Sequence, residues 1–139
     1  MIVATISGNI ITSNTEQAFS LNEKSRFGEK KKGVIEYSLI EALYLMSENR
    51  LSLIKNKKRL SESELLKIAK KTDKRIETKL AAFSDLRKKG YIVKTALKFG
   101  AEFRVYDKGI KPGQDHAKWL LYPVKENEAH SWYDFAAKN

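Results

Sequence analysis

The chain has 139 residues, two histidines and no cysteine, which excludes disulfides, thiolate chemistry and Cys-ligated zinc and leaves too few ligands for a His-rich metal centre. Hydrophobic residues make up 42% and charged residues 32%, the balance of a globular rather than a disordered chain, and no apolar run approaches the ~18–20 residues of a membrane span. Lysine and arginine number 27 against 17 acids, a net charge of +10, so either a polyanion such as nucleic acid or a lysine-rich solubility surface is implied.

The start, Met1-Ile-Val-Ala-Thr-Ile6, has no charged leader and no cleavage pattern. It reads as a strand, and a cytoplasmic location is expected. Residues 2–6 and 9–11 are expected to form a hairpin around Ser7-Gly8-Asn9. Residues 12–34 are polar, with Gly28, Gly33 and the run Lys30-Lys31-Lys32, and read as a loop. The lysine run is open to two readings, a phosphate-contacting patch or a solvated loop.

Helical periodicity begins near Tyr37, with Leu39, Ile40, Leu43 and Met46 on one stripe. Leu51-Ser-Leu-Ile54 suits a strand, and Lys55-Asn-Lys-Lys-Arg59 a basic turn. Ser61 followed by Glu64 is a capping box, predicting a helix from about residue 62 with Leu65, Leu66, Ile68 and Ala69 on its apolar face. Asp73 is the expected N-cap of a further helix carrying Ile76, Leu80, Phe83 and Leu86, with Lys88 and Lys89 in its last turn and Gly90 just past its end.

After Gly90 the period changes from helix to strand. Residues 91–95, 96–99, 102–106 and 117–124 read as strands, with a Gly/Pro loop from Asp107 to His116. A helix is expected from Ser131, and because it stops at Asn139 the sequence reads as a truncated form. No internal repeat is present. The expected fold is α/β (α+β): a mixed α/β domain with three helices over residues 1–89, then a β-rich catalytic domain over 90–139, C-terminally incomplete.

Residues 102–106 carry the chemistry. Side chains alternate on a strand, so Phe103 and Val105 face a core while Glu102, Arg104 and Tyr106 face away. Two antiparallel strands joined by the 107–116 loop would bring Tyr106 near His116. Such a pair amid lysines can cleave RNA without metal: one group deprotonates a ribose 2′-OH, the other protonates the leaving 5′-oxygen, and a cation offsets the phosphorane charge. Histidine, near pKa ~6.5, suits the acid role; tyrosine, near ~10, serves as a base where cations lower its pKa. The same residues also read as a packed tyrosine and a surface histidine. His130 reads as structural or solvated, and Trp119, Tyr122 and Trp132 read as core or interface residues.

The stretch from Asp85-Leu-Arg-Lys-Lys-Gly-Tyr through Lys98-Phe-Gly-Ala-Glu-Phe-Arg-Val-Tyr106 to Gly109, followed by His116-Ala-Lys-Trp-Leu-Leu121, resembles the archaeal tRNA-splicing endonuclease family. Glu41-Ala-Leu-Tyr-Leu45 and Arg26-Phe27-Gly28 resemble N-terminal segments of that family, so the likeness spans most of the chain. Ala96 departs from it where the family often has glycine. The resemblance implies cleavage of precursor tRNA at intron bulge-helix-bulge sites, leaving 2′,3′-cyclic phosphate and 5′-OH ends, with no metal and no cofactor. Tyr106 matches the tyrosine of the F-R-x-Y motif, the general base, and His116 the histidine of the H-(S/A)-x motif, the general acid. The family's third catalytic residue, a lysine, belongs to a motif with no match up to Asn139. The resemblance also implies assembly as a homo- or hetero-oligomer with a related subunit.

Two other readings compete. Helices 62–71 and 74–89 followed by strands 91–95 and 102–106 also spell a winged-helix nucleic-acid-binding module, with Lys70, Lys71, Lys74, Arg75 and Lys79 facing phosphates. The third is a non-catalytic structural subunit of the endonuclease.

Overall fold

The computed structural model describes residues 1–95, 103–108, 119–123 and 132–136. The chain divides into two compact units, Met1–Ile76 and Glu77–Asn139.

The first unit is a six-stranded sheet with helices against one face. Strands β1 (Ile2–Ser7) and β2 (Ile10–Ser13) form the expected hairpin. Helix α1 (Glu16–Ser25) and strands β3 (Glu29–Lys31) and β4 (Val34–Tyr37) follow, then α2 (Leu39–Ser47), β5 (Leu51–Lys55), β6 (Lys58–Leu60) and α3 (Glu62–Thr72). The strand order is β3-β4-β2-β1-β5-β6, with β1 parallel to β5 and the other neighbours antiparallel. Alternation sets the core: Ile2, Ala4 and Ile6 of β1 join Ile11, Ile35, Leu51 and Leu53, while Val3 and Thr5 stay on the open face. Helix α2 carries the chain from β4 to β5 and is buried from Ile40 through Leu45.

Two expectations change here. The 12–34 segment holds α1 and β3 instead of an irregular loop. Only Ala18 and Leu21 of α1 are buried, too narrow a stripe to register as periodicity, and the helix is set by its cap: Thr15 Oγ1 accepts from the Ala18 N–H at 3.4 Å. Strand β3 is fully exposed and owes its form to pairing with β4. The basic turn of 55–59 narrows to Asn56-Lys57, both left-handed at φ +50° and +65°, because β6 begins at Lys58. This is the type I′ geometry whose second position glycine normally fills; lysine there costs roughly 1 kcal/mol.

Helix α3 starts as the sequence predicts. Ser61 Oγ accepts from the Glu64 N–H at 3.2 Å, and Glu64 Oε1 accepts from the Ser61 N–H at 2.9 Å. These bonds hold the Glu64 carboxyl below its usual range. Ser61→Ala is expected to lower stability by about 1 kcal/mol. A denaturation midpoint equal to wild type would refute it. Since the carboxylate form makes the bond, the capping contribution is full above pH ~4.3 and fades as pH falls through the lowered value.

The second unit contains α4 (Ile76–Lys88) from Glu77 on, with β7 (Ile92–Thr95), β8 (Phe103–Tyr106), β9 (Trp119–Pro123) and β10 (Trp132–Ala136) in the antiparallel order β10-β9-β8-β7. Asp73 closes α3, its N–H reaching the Ala69 carbonyl, and leads α4 by three residues through Oδ1 to the Arg75 N–H at 2.9 Å. Gly90, at φ +97°, ends α4: its N–H meets the Arg87 carbonyl and the Tyr91 N–H meets the Leu86 carbonyl. The change of period at Gly90 leaves α4 with the first part, whereas its contacts lie in the second: Phe83 meets Phe103 edge-to-face at 5.8 Å, and Arg87 Nη2 donates to the Val93 carbonyl at 3.4 Å. Among the described residues the first unit therefore has three helices, but with α1 included and α4 excluded.

The helix expected from Ser131 is overturned. Trp132–Ala136 is a strand paired residue by residue with β9, from Trp132 opposite Pro123 to Ala136 opposite Trp119. A short aromatic-rich segment takes the form its neighbour offers, and β9 offers an edge. The predicted strand 96–99 lies outside the described residues.

Candidate active site

The register of β7 and β8 builds the site. Ile92 lies opposite Tyr106, Val93 opposite Val105, Lys94 opposite Arg104 and Thr95 opposite Phe103. Directly opposed residues share a face. Val93, Val105 and Phe103 line the α4 side, where Phe83 packs. Ile92, Lys94, Arg104 and Tyr106 line the other. Tyr106 thus occupies the face predicted by alternation, opposite Phe103 and Val105.

Its exposure differs from the expectation. Tyr106 is 6% exposed and packs with Ile92, itself 5% exposed. The ring is anchored in a small apolar cluster rather than standing open, because its cross-strand partner is isoleucine. Lys94 is buried and Arg104 exposed, so cations lie beside the tyrosine on one face. The Lys94–Tyr106 diagonal is one that long side chains can reach, at ~7–8 Å between backbones. Lys94 was not singled out from sequence. Its signal was the alternation of 91–95, which needed the register with 102–106 to become a neighbour of Tyr106.

Beyond the strand, Lys108 Nζ sits 5.9 Å from the Tyr91 ring centroid, and the backbone of Gly90 approaches the Lys108 side chain closely. His116 and His130 lie outside the described residues. Trp119, Tyr122 and Trp132 stand in β9 and β10. Among the described residues no group of three His, Asp or Glu is placed to hold a metal ion, and no helix is long and apolar enough to cross a membrane.

The winged-helix reading loses its geometry. Lys79, one of its phosphate contacts, is buried at 5% exposure. Strand β8 pairs with β9 as well as β7, so the strand pair is the margin of a four-stranded sheet and not a free wing.

The chain is thus an α+β protein whose second unit sets Tyr106 on one sheet face with Lys94 and Arg104. Residues 76–139 match the model of the tRNA intron endonuclease, catalytic C-terminal domain, and residues 3–66 match that of the tRNA intron endonuclease, N-terminal domain. The chain is 40% identical over 134 residues to the tRNA-splicing endonuclease of Thermococcus onnurineus, covering 96% of this chain and 77% of that protein. It is 44% identical over 110 residues to that of Nanoarchaeum equitans, covering 75% and 71%. It is 37% identical over 123 residues to that of Methanothermobacter thermautotrophicus, covering 88% and 71%. The chain belongs to the tRNA intron endonuclease family.

Proposed function

We propose that the chain is a catalytic subunit that cuts introns from precursor tRNA at bulge-helix-bulge sites, leaving 2′,3′-cyclic phosphate and 5′-OH ends. The observation that carries this reading is Tyr106 on a cationic face of the unit that matches the family's catalytic domain. Tyr106 takes the proton of the 2′-OH, O2′ attacks the adjacent phosphorus, and the P–O5′ bond breaks. His116 returns a proton to O5′. Lys94 and Arg104 present positive charge on the tyrosine's face, where the phosphate's negative charge grows. Retention of Tyr106 and His116 favours this over a purely structural subunit.

The test is cleavage of a bulge-helix-bulge RNA with analysis of the ends. Cleavage is expected to persist in EDTA and to yield cyclic phosphate; silencing by chelator, or 3′-OH ends, would overturn the proposal. Two bulges call for two sites, so the active species is an oligomer, of identical or related subunits. Light scattering alongside the assay checks this, and an active monomer would refute it.

A further inference from the structure

We infer that the β5–β6 hairpin of the first unit is a docking element for the phosphate backbone of the RNA, an inference that rests on the function proposed above. Lys55, Lys57, Lys58 and Arg59 fall within five residues, all exposed, with no acid among them. Arg59 Nε donates to Ser52 Oγ at 3.1 Å, which lays its guanidinium along the open sheet face. Among the described residues none of the three lysines meets a carboxylate.

The β3–β4 hairpin is the internal comparison. It too carries a basic run, Lys30-Lys31-Lys32, though with Glu29 and Glu36 in its strands, and it also closes on a two-residue turn with both φ positive. Two of its three lysines are engaged locally. Lys31 Nζ lies 3.8 Å from Glu36, and Lys30 Nζ lies 5.7 Å from the Phe19 ring centroid. Its turn ends on Gly33, the residue that geometry favours.

The β5–β6 turn holds Lys57 where the comparison hairpin holds Gly33, at φ +65°. A strained residue kept where glycine would relax it points to a function for the side chain. Edge protection accounts for a cation on β6, the last strand of the sheet. It does not account for Lys57, which lies in the turn and off the edge. The turn is a two-residue one closed by the Lys55–Lys58 strand pair, so its cations are presented by paired backbone and carry less ordering cost than those of a flexible tail. A row of closely spaced, unneutralised cations suits the repeating charge of a nucleic-acid backbone, and such contacts act by counterion release.

The experiment uses the full chain and a bulge-helix-bulge RNA with extended helical arms, with binding measured across a salt series. One variant carries Lys55→Gln, Lys57→Gly and Lys58→Gln; the comparison carries Lys30→Gln, Lys31→Gln and Lys32→Gln, an equal change in net charge. The first is expected to reduce the steepness of the log–log salt dependence by roughly 2 and to weaken binding on the order of 10-fold at moderate salt. The comparison should stay within about twofold of wild type. Lys57→Gly alone separates function from structure: its melting temperature should rise while its affinity falls. Equal losses in the two triple variants would mean that only overall charge matters, and would overturn the inference. So would a β5–β6 variant that binds like wild type. A wild type that binds but does not cut defeats the proposed function and leaves this test intact; one that does neither defeats both.

Discussion

Tyr106→Phe is expected to lower the single-turnover rate of RNA cleavage by 10²–10⁴-fold, about 3–5 kcal/mol of transition-state stabilisation. The substitution suits the site. Tyr106 packs its ring on Ile92 in a buried cluster, and phenylalanine keeps that ring while removing one hydroxyl. The melting temperature and RNA affinity should therefore change little, whereas Tyr106→Ala would open a cavity and confound the two. His116→Ala should slow cleavage to a similar degree. It should be rescued by a substrate whose leaving group needs no proton, such as a 5′-phosphorothiolate, because the acid then has nothing to donate. The Tyr106→Phe enzyme should gain nothing from that substrate, since its defect lies at the 2′-OH. Wild-type rates in both variants would remove the chemistry from these residues, and a nucleic-acid-binding role would then be the better account.

What the sequence made legible follows the range of the forces involved. Local signals read true: the Ser61–Glu64 capping box, the Gly90 stop and the alternation over 103–106 are each decided within a few residues, and each stands in the structure. Elements held by distant partners did not read. β3 is three exposed residues given strand form by β4, and β10 is an aromatic segment given strand form by β9. Helix α1 buries two residues against its sheet and leaves a periodicity too thin to see. The same division runs through the site. The motif nominates Tyr106, and alternation gives its face. Its burial against Ile92, and its nearness to Lys94, depend on a cross-strand register that no local pattern encodes.

Gly28→Ala is expected to destabilise the first unit by about 3–4 kcal/mol, through backbone strain and overpacking together. Gly28 sits at φ +77°, and a Cβ there would overlap Ile35 Cγ2 and stand 3.0 Å from both the Glu36 carbonyl oxygen and Tyr37 Cε1. Its N–H donates to Glu41 Oε2 at 2.8 Å in a buried bond, and Asn22 Nδ2 donates to its carbonyl at 2.9 Å. Glu41 is 4% exposed and serves two elements with one carboxylate: Oε1 also accepts from the Ser38 N–H at 3.0 Å and closes the capping box of α2. The loop before β3 is thereby fastened to the start of α2. Glu41→Gln keeps the shape but turns one acceptor into a donor facing a donor, with an expected cost of about 2–3 kcal/mol. Against a typical total of 5–15 kcal/mol, either loss is large, and each should lower the first unit's melting temperature by roughly 10–30 °C. Tyr37 adds a pH signature. Burial first, and the Glu41 charge second, push its phenol above the usual range. The neutral phenol is the form the fold accepts, so its contribution is full below pH ~10, where the unfolded phenol begins to ionise, and is lost as pH rises towards the raised folded value. Tyr37→Phe should therefore resist alkaline unfolding better than wild type while matching it at pH 7. A Gly28→Ala protein that melts with wild type would show that the loop yields freely and that Glu41 does not clasp it.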